Sequence, residues 1–286
     1  MYSIEPIDLT PRGTAASTQL LRLVFPHSRY ITEEYLNWEY NLNPVGKAVG
    51  FNAWYQGQLA AHYVTQPIVS LIQGEETKGV LSINTATHPE HRGKKLFTTL
   101  ADATYQRAKE LGYAFVIGVS NANSTPGFVR RLGFKLILPL VANLGFGKTN
   151  YPQSREDAII PAYERMWTKE LLNWRLENPA QNYTIREFDD KFIIEGDTGK
   201  LGIRVVLGGF DRSLFPEVRT STRNTINPLK LWLGIDNSID WRNSWYYTIP
   251  ARFRPSPLNL IFKNLTGCIE LDSTDIKFQA IDFDVY

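Results

Sequence analysis

A segment near the start of the chain recurs in its second half, and this repeat restricts the possible folds more than any other feature. The first copy, residues 29–44, reads RYITEEYLNWEYNLNP, and the second, residues 165–179, reads RMWTKELLNWRLENP. At a constant spacing of 136 positions, Arg29, Thr32, Glu34, Leu36, Asn37 and Trp38 recur as Arg165, Thr168, Glu170, Leu172, Asn173 and Trp174. In each copy a threonine suits the N-cap of a short helix, and Asn-Pro suits its end. So long a period is typical of domain duplication and not of a solenoid.

The chain length agrees with a duplication. Half of the 286 residues is close to the period of the repeat. We therefore expect two domains, residues 1–148 and 149–286. Their junction is expected in residues 147–161, a polar segment that contains two prolines and lacks a clean periodic pattern.

The first half alternates between patterns typical of strands and of helices. Strand patterns cover residues 3–7, 49–55, 58–67, 80–87, 113–119 and 134–140, and helix patterns cover 15–24, 32–41, 96–111 and 126–132. The Gln56-Gly57 turn predicts a hairpin. Because helical crossovers occur beside a hairpin, the fold class is predicted to be α/β with a mixed sheet.

Composition excludes several classes of protein. With 43% hydrophobic and 21% charged residues the chain is globular, and a net charge of +2 gives no argument for a nucleic-acid partner. No apolar run approaches the roughly 18 residues of a membrane span, and no secretory signal is visible at the N-terminus. The single cysteine, Cys268, excludes an internal disulfide and a cysteine-based metal site. We expect a cytoplasmic protein without a metal.

Chemically informative residues are densest in residues 85–97, which read TATHPEHRGKKLF. A strand ends at Thr87, and a helix begins near Lys95 behind a cluster of basic side chains. The first N–H groups of a helix are unpaired, and the helix dipole is positive there. With a glycine at position 93, this arrangement suits a pyrophosphate. An ordinary strand–helix turn with solvated lysines explains the basic turn by itself equally well.

Two motifs together favour the first interpretation. Residues 92–97 resemble motif A of the GNAT superfamily of acyl-CoA N-acyltransferases, Arg/Gln-x-x-Gly-x-Gly/Ala, although Lys95 and Phe97 replace its glycine positions. Residues 119–134, VSNANSTPGFVRRLGF, resemble motif B. The resemblance covers residues 1–148. The second half lacks motif A, so it is predicted to be a degenerate GNAT-like domain that does not bind CoA but shapes the acceptor site.

The resemblance implies that acetyl-CoA lies between two diverging parallel strands. By position in the motifs, the implied CoA-binding residues are Thr85, Ala86, Thr87, Arg92, Gly93, Lys94, Lys95, Leu96, Phe97, Thr98, and Asn121 or Asn123. The family's frequent general acid, a tyrosine, falls on Val129 here. No hydroxyl is therefore available at that place to protonate the leaving thiolate.

Two residues are candidates for deprotonating or orienting the acceptor amine. His62, in the strand LAAHYV, is the first choice for a general base, with a satisfied histidine in or beside the core as the competing interpretation. Asn84 is polar among apolar neighbours on the central strand. It is unable to act as a base, but it is suited to orient a substrate or a water molecule.

The predicted function is N-acetyl transfer from acetyl-CoA by direct attack of a small-molecule amine, without an acyl-enzyme. The full chain also resembles bacterial GNAT proteins of surface-polysaccharide gene clusters, which implies an amino sugar or a sugar nucleotide as acceptor. Two alternatives stay open at this point. One is a non-catalytic CoA- or ligand-binding scaffold, and the other is a tandem-GNAT aminoacyl transferase that uses charged tRNA. The sequence indicates no oligomeric state.

Overall fold

A computed structural model describes residues 1–151, 160–188, 190–200, 202–215, 217–219, 229–271 and 275–283. The helices in these ranges are α1 (Pro11–Val24), α2 (Glu33–Asn41), α3 (Leu96–Glu110), α4 (Thr125–Leu132) and α5 (Lys169–Leu176). The strands of the first half are β1 (Ser3–Pro6), β2 (Val49–Tyr55), β3 (Gln58–Ile72), β4 (Glu75–Thr87), β5 (Phe115–Ser120), β6 (Lys135–Pro139) and β7 (Val141–Phe146). Those of the second half are β8 (Tyr163–Arg165), β9 (Thr184–Phe188), β10 (Lys191–Asp197), β11 (Arg204–Asp211), β12 (Lys230–Asp236), β13 (Trp245–Thr248), β14 (Asn259–Asn264) and β15 (Ile276–Gln279).

The predicted mixed sheet is confirmed. In the first half the strands lie in the order β1-β2-β3-β4-β5-β14-β6, with β4 parallel to β5 and the other neighbours antiparallel. Successive side chains of a strand point to opposite faces of a sheet. In β3, accordingly, Val64 packs with α1 and α2 on one face, and Tyr63 packs with α3 and α4 on the other.

Each half of the chain contributes one strand to the sheet of the other half. Strand β14, from the second half, lies between β5 and β6, where it pairs with both. Strand β7, from the first half, pairs with β12 and β13. Strand β8 joins the two sheets, because it pairs with β3 on one side and β15 on the other. The sheet is therefore continuous, and a division at residue 148 does not separate two sheets.

The second half repeats the strand order of the first half, with one difference. An additional strand, β15, lies between the two strands that correspond to β4 and β5. Strand β12 is parallel to β11 over its first residues, as β5 is to β4. Leu231 of β12 pairs with β7 on the opposite edge, and Gly234 pairs with both β7 and β15. Strand β15 therefore lies on the same edge of β12 as β11. It occupies the place where those two strands diverge.

The repeated segments form α2 and α5, and both ends of each helix follow the predicted rules. The hydroxyl of Thr32 accepts from the Tyr35 N–H at 3.0 Å, and that of Thr168 accepts from the Leu171 N–H at 3.2 Å. After each helix an asparagine side chain, Asn43 or Asn178, accepts a backbone N–H two residues further along. The predicted helix caps and stops are confirmed in both copies.

The structure differs from the sequence prediction mainly in strand length and number. Strand β4 starts at Glu75, five residues before the predicted start, because it pairs with β3 along a long antiparallel ribbon. Strand β7 and the short strands β8 and β9 were not predicted. Residues 152–159 of the expected junction lie outside the described residues. Among the described helices, none is long and apolar enough to cross a membrane.

Candidate active site

A large cleft of the first half opens where β4 and β5 separate. The two strands pair from Gly79–Phe115 to Ser82–Gly118, and beyond this point they diverge. The cleft has a volume of about 840 Å³ and runs between the α3/α4 face of the sheet and the α1/α2 face. An extended ligand in this place can reach unpaired backbone groups of both strands.

An irregularity in β4 shapes one wall of the cleft. Tyr63 of β3 pairs with Thr85, whereas Thr65 pairs with Ser82, so β4 carries one extra residue there. The side chains of Asn84, Thr85 and Thr87 line the cleft. Ala86 is buried instead and pairs with β3.

The predicted phosphate loop leads into α3. Gly93 has φ +77°, and Lys95, the N-cap residue, has φ +60°. This left-handed conformation explains why the family pattern has a glycine where the chain has Lys95. The first hydrogen bond of the helix runs from the Thr99 N–H to the Lys95 carbonyl, 3.1 Å, so the preceding N–H groups are the free ones of the helix start. Such groups can bind a pyrophosphate.

Some residues of this loop line the cleft, and others do not. Arg92 and Phe97 line the cleft, and Leu96 is buried in the core beneath α3. Gly93, Lys94 and Lys95 are exposed and, unlike Arg92, are not among the residues that line the cleft. The Thr98 hydroxyl donates to the Lys95 carbonyl at 2.9 Å, which closes the first turn of the helix.

Helix α4 adds two cations that the sequence analysis missed. Arg130 and Arg131, in its last turn, line the cleft with Arg92. Of the two candidate asparagines, Asn121 builds the loop, because its side-chain oxygen accepts from the Asn123 and Ser124 N–H groups at 3.0 Å each. Asn121 and Asn123 both line the cleft. The arginines give this side of the cleft a positive charge suited to phosphates.

The opposite side of the cleft is apolar and aromatic. Phe25, Tyr30 and Ile31, from the segment between α1 and α2, line it together with Ile83 and with Phe283 from the end of the described chain. No sequence motif indicated Phe283, since tertiary contacts bring that part of the chain to the first half, where β15 pairs with β8 and β8 pairs with β3. One end of the cleft therefore suits phosphates, and the other suits apolar or ring-shaped groups.

The structure places His62 away from the cleft. Its side chain is fully buried, its Nδ1 lies 2.7 Å from Asn52 Oδ1, and its Nε2 lies 3.0 Å from the Tyr40 hydroxyl. Burial lowers the pKa of His62 to about 4. Both ring nitrogens are thus occupied in the core, and these contacts do not favour His62 as the base. These contacts agree with the competing interpretation, in which His62 is a core histidine whose ring nitrogens are both hydrogen-bonded.

A buried carboxylate beside the cleft was also missed. Glu39 of α2 is 1% exposed, and its Oε2 accepts from the Asn84 Nδ2 at 2.6 Å. In the sequence Glu39 is one of several glutamates of an amphipathic helix, and only the packing of α2 against β4 distinguishes it. Val129 of α4, at the position of the family's tyrosine, is not among the residues that line the cleft.

No cluster of metal-ligating side chains occurs within the described residues. Cys268 is exposed, with its Sγ 3.8 Å from the Thr266 carbonyl oxygen.

Comparison with known families agrees with this geometry. Residues 6–137 match the model of the acetyltransferase (GNAT) domain family, a range that contains the whole of β4, the phosphate loop and α4. The match lies within the first half of the chain, which is therefore similar to acetyltransferase (GNAT) domains. A comparison with curated proteins gives no significant match.

Solved structures share the fold over nearly the whole chain. A probable N-acyltransferase from Enterococcus faecalis V583 has a TM-score of 0.64 at 9% identity, with 93% of this chain and 73% of that chain covered. A GCN5-related N-acetyltransferase from Anabaena variabilis ATCC 29413 has a TM-score of 0.59 at 12% identity, with 93% and 74% covered. N-myristoyltransferase of Saccharomyces cerevisiae with bound myristoyl-CoA has a TM-score of 0.60 at 12% identity, with 91% of this chain and 82% of that chain covered. At such identities the likeness concerns the fold, and it includes both halves.

Proposed function

We propose that the protein transfers an acetyl group from acetyl-CoA to the amine of a small molecule bound at the aromatic end of the cleft. The observation that carries the proposal is the single cleft of about 840 Å³ in which a cationic helix-start loop and the separated strands β4 and β5 meet. The residues fit a CoA molecule. Free N–H groups and arginines suit its phosphates, and the free backbone edge of β4 suits its pantetheine arm.

Direct transfer is the mechanism best supported by the side chains present. The amine nitrogen attacks the thioester carbonyl, the C–S bond breaks, the thiolate leaves, and the nitrogen gives up one proton to solvent. Cys268 is exposed and distant in sequence from the cleft, and His62 is buried away from it, so neither suits a covalent intermediate. Water is the proton acceptor that this arrangement favours.

An amino sugar or sugar nucleotide is the acceptor we favour. Phe25, Tyr30 and Phe283 supply aromatic faces on the acceptor side, and such faces pack on sugar rings. The net charge of +2 argues against tRNA as a partner.

Two measurements test the proposed function. The first is calorimetric titration with acetyl-CoA, beside octanoyl- and myristoyl-CoA and a charged tRNA. The second is thiol release from acetyl-CoA with a panel of amines that includes glucosamine, galactosamine, amino-sugar nucleotides and lysine. We expect acetyl-CoA to bind and the sugar amines to release CoA fastest.

Each alternative has its own outcome. CoA binding without thiol release for any amine favours the scaffold, and binding of charged tRNA without CoA favours the aminoacyl transferase. A preference for myristoyl-CoA would assign the apolar end of the cleft to the acyl chain and not to the acceptor.

A further inference from the structure

A buried carboxylate controls one polar side chain in the wall of the cleft. Glu39 accepts two hydrogen bonds, from the Tyr35 hydroxyl to Oε1 at 3.1 Å and from the Asn84 Nδ2 to Oε2 at 2.6 Å. Glu39 is buried, whereas Asn84 is partly exposed and lines the cleft. The carboxylate therefore reaches the cleft only through Asn84.

This contact fixes which atom of the Asn84 amide is presented to a ligand. Above its pKa of about 8 Glu39 is ionised, and an ionised carboxylate only accepts hydrogen bonds, so it requires the NH₂ group of the amide and repels the oxygen. The Asn84 amide also bonds to the Tyr40 hydroxyl, which opposes the rise that burial causes in the Tyr40 pKa, and no hydrogen bond to Asn84 Oδ1 is found among the described residues. With its nitrogen held by Glu39, Asn84 turns a hydrogen-bond acceptor toward the cleft.

We propose that Asn84 binds the acceptor amine through its amide oxygen, and that Glu39 is the positioning residue that keeps this oxygen turned toward the cleft. The inference rests on the proposed function. Asn84 lies at the extra residue of β4, beside the point where β4 and β5 separate. One N–H···O bond there holds the nitrogen of the amine while its lone pair faces the thioester carbon, and this orientation accelerates direct attack.

The second half of the chain contributes an arginine, Arg175, to the surroundings of Glu39. Arg175 of α5 stands at the position of the repeat that corresponds to Glu39, 136 residues further along. Burial raises the pKa of Glu39 to about 8, while the charge of Arg175 and the hydrogen bond from Asn84 oppose this rise. A cavity of about 10 Å³ is lined by Glu39 and Arg175 together with Arg165 of β8.

The groups that face Glu39 come from its own helix and from β3, β4 and α5. Tyr35 donates to it, and burial and the charge of Glu39 raise the pKa of Tyr40. Gln66 of β3 donates to its backbone oxygen at 3.4 Å, and Asn84 and Arg175 face its carboxyl group. Arg175 is the cation that favours the carboxylate form. Each half of the chain thus supplies one charge beside the acceptor site, so the second half takes part in acceptor binding without binding CoA.

A double-mutant cycle tests the proposal on the full chain. The variants are Asn84→Ala, Glu39→Gln and the double variant, with Glu34→Gln, an exposed glutamate of the same helix, as the matched control. The amine is glucosamine or, if another member of the panel is turned over faster, that amine. We expect Asn84→Ala to lower kcat/KM for the amine roughly 10-fold, a typical effect of one lost hydrogen bond, with an unchanged Kd for acetyl-CoA.

The non-additivity of the cycle is decisive. Glu39→Gln alone is expected to lower kcat/KM for the amine, but to have no further effect once Asn84 is alanine, because it acts only through that residue. A merely structural role of Glu39 predicts the same loss in both backgrounds, and that result would overturn the proposal.

A second readout does not depend on turnover. The side-chain amide of Asn84, identified by loss of its signals in Asn84→Ala, is followed by ¹⁵N NMR from pH 6 to pH 9. We expect its proton shifts to follow the ionisation of Glu39 in the wild type and in Glu34→Gln, and to stay constant in Glu39→Gln. Shifts that do not depend on pH in the wild type would refute the control by Glu39 even if the enzyme transfers acetyl groups. Failure of the proposed function would instead appear as a lack of acetyl-CoA binding.

Discussion

The indole rings of Trp38 and Trp174 stack on each other, with their centroids 4.6 Å apart and their planes inclined by 12°. Each ring also donates its Nε1–H to the backbone carbonyl of the other residue, at 2.9 Å from Trp38 and 3.3 Å from Trp174. The two residues hold the same position in the repeat. The contact is therefore reciprocal, as an approximate two-fold axis between α2 and α5 requires.

The exchanged strands follow the same relationship. Strand β14 joins the sheet of the first half beside β5, and β7 joins that of the second half beside β12, the counterpart of β5. Each half completes the sheet of the other. We infer that the two halves fold and unfold as one unit.

The first prediction concerns this contact. Trp174→Ala should lower the free energy of unfolding by about 3–5 kcal/mol, because it removes a large buried side chain and leaves a cavity. Trp245→Ala is the control, since that side chain is 63% exposed, and its effect should be much smaller. Unfolding by urea, followed by circular dichroism, should show one transition in both variants. Two separate transitions, one of them unchanged from the wild type, would contradict folding as one unit.

Much of the first half could be predicted from local patterns. Helix α3 begins at the predicted residue, and the hairpin of β2 and β3 turns at the predicted Gln56-Gly57. These features depend on neighbours in the sequence, on turn residues and on hydrophobic periodicity. The repeat, likewise, indicated α5 from its resemblance to α2.

The strand exchange and the acceptor side of the cleft could not be predicted in this way. A local pattern can indicate a strand such as β14 (Asn259–Asn264), but tertiary contacts decide which edge that strand joins. The same limit explains His62 and Glu39. Alternation placed His62 on one face of β3, but the packing of Tyr40 and Asn52 against that face buries it.

The second prediction tests the phosphate loop. Gly93→Asp should reduce the affinity for acetyl-CoA at least about 100-fold, because it places a carboxylate against the phosphates at the start of α3. Gly57→Asp is a matched control. Both glycines have a positive φ, +77° and +80°, and open space where a Cβ would stand, but Gly57 lies in the hairpin turn and not at the cleft. Calorimetry on both variants measures the difference, and an equal loss in the two would refute the phosphate loop.

The third prediction tests the cations of α4. Replacement of Arg130 or Arg131 by glutamine should weaken CoA binding roughly 10-fold each, since charge-assisted hydrogen bonds to phosphate are stronger than neutral ones. The loss should diminish at high salt. Arg107→Gln, an exposed arginine of α3 paired with Glu110, should bind CoA as the wild type does. A salt-independent loss would mean that the arginines act through packing.

The fourth prediction concerns acid stability. The folded protein holds His62 neutral down to a pKa of about 4, whereas the unfolded chain protonates it near 6.5. Its contribution is therefore complete above pH 6.5 and is lost as the pH falls toward 4. The wild type should lose roughly 2–3 kcal/mol more stability than His62→Gln over this interval.

Urea unfolding at pH 7.5 and pH 4.5 measures that difference, and the other histidines cancel because both proteins contain them. His62→Gln should also leave kcat at neutral pH, and the dependence of kcat on pH, as they are in the wild type. A fall of roughly 10²–10⁴ in kcat, the range for a lost general base, would restore His62 to the catalytic site.

The last prediction is that the chain binds one CoA and not two. In the second half, Gln279 of β15 bridges the diverging strands, because its Oε1 accepts from the Gly209 N–H at 3.2 Å and its Nε2 donates to Asp236 Oδ2 at 2.8 Å. A cavity of about 170 Å³ lies beside it, against about 840 Å³ for the cleft of the first half. The chain itself thus occupies the place that corresponds to the cleft of the first half.

Calorimetric titration of the wild type should therefore give one equivalent of acetyl-CoA per chain, and Gly93→Asp should leave none. Gln279→Ala should cost about 1–3 kcal/mol of stability, because it deprives the buried Asp236 of a hydrogen bond, and should add no second site. A full equivalent that persists in Gly93→Asp would place a functional CoA site in the second half. In that event β15 would have to be displaced from the edge of β12 when CoA binds, and hydrogen exchange of residues 276–279 would increase on addition of CoA.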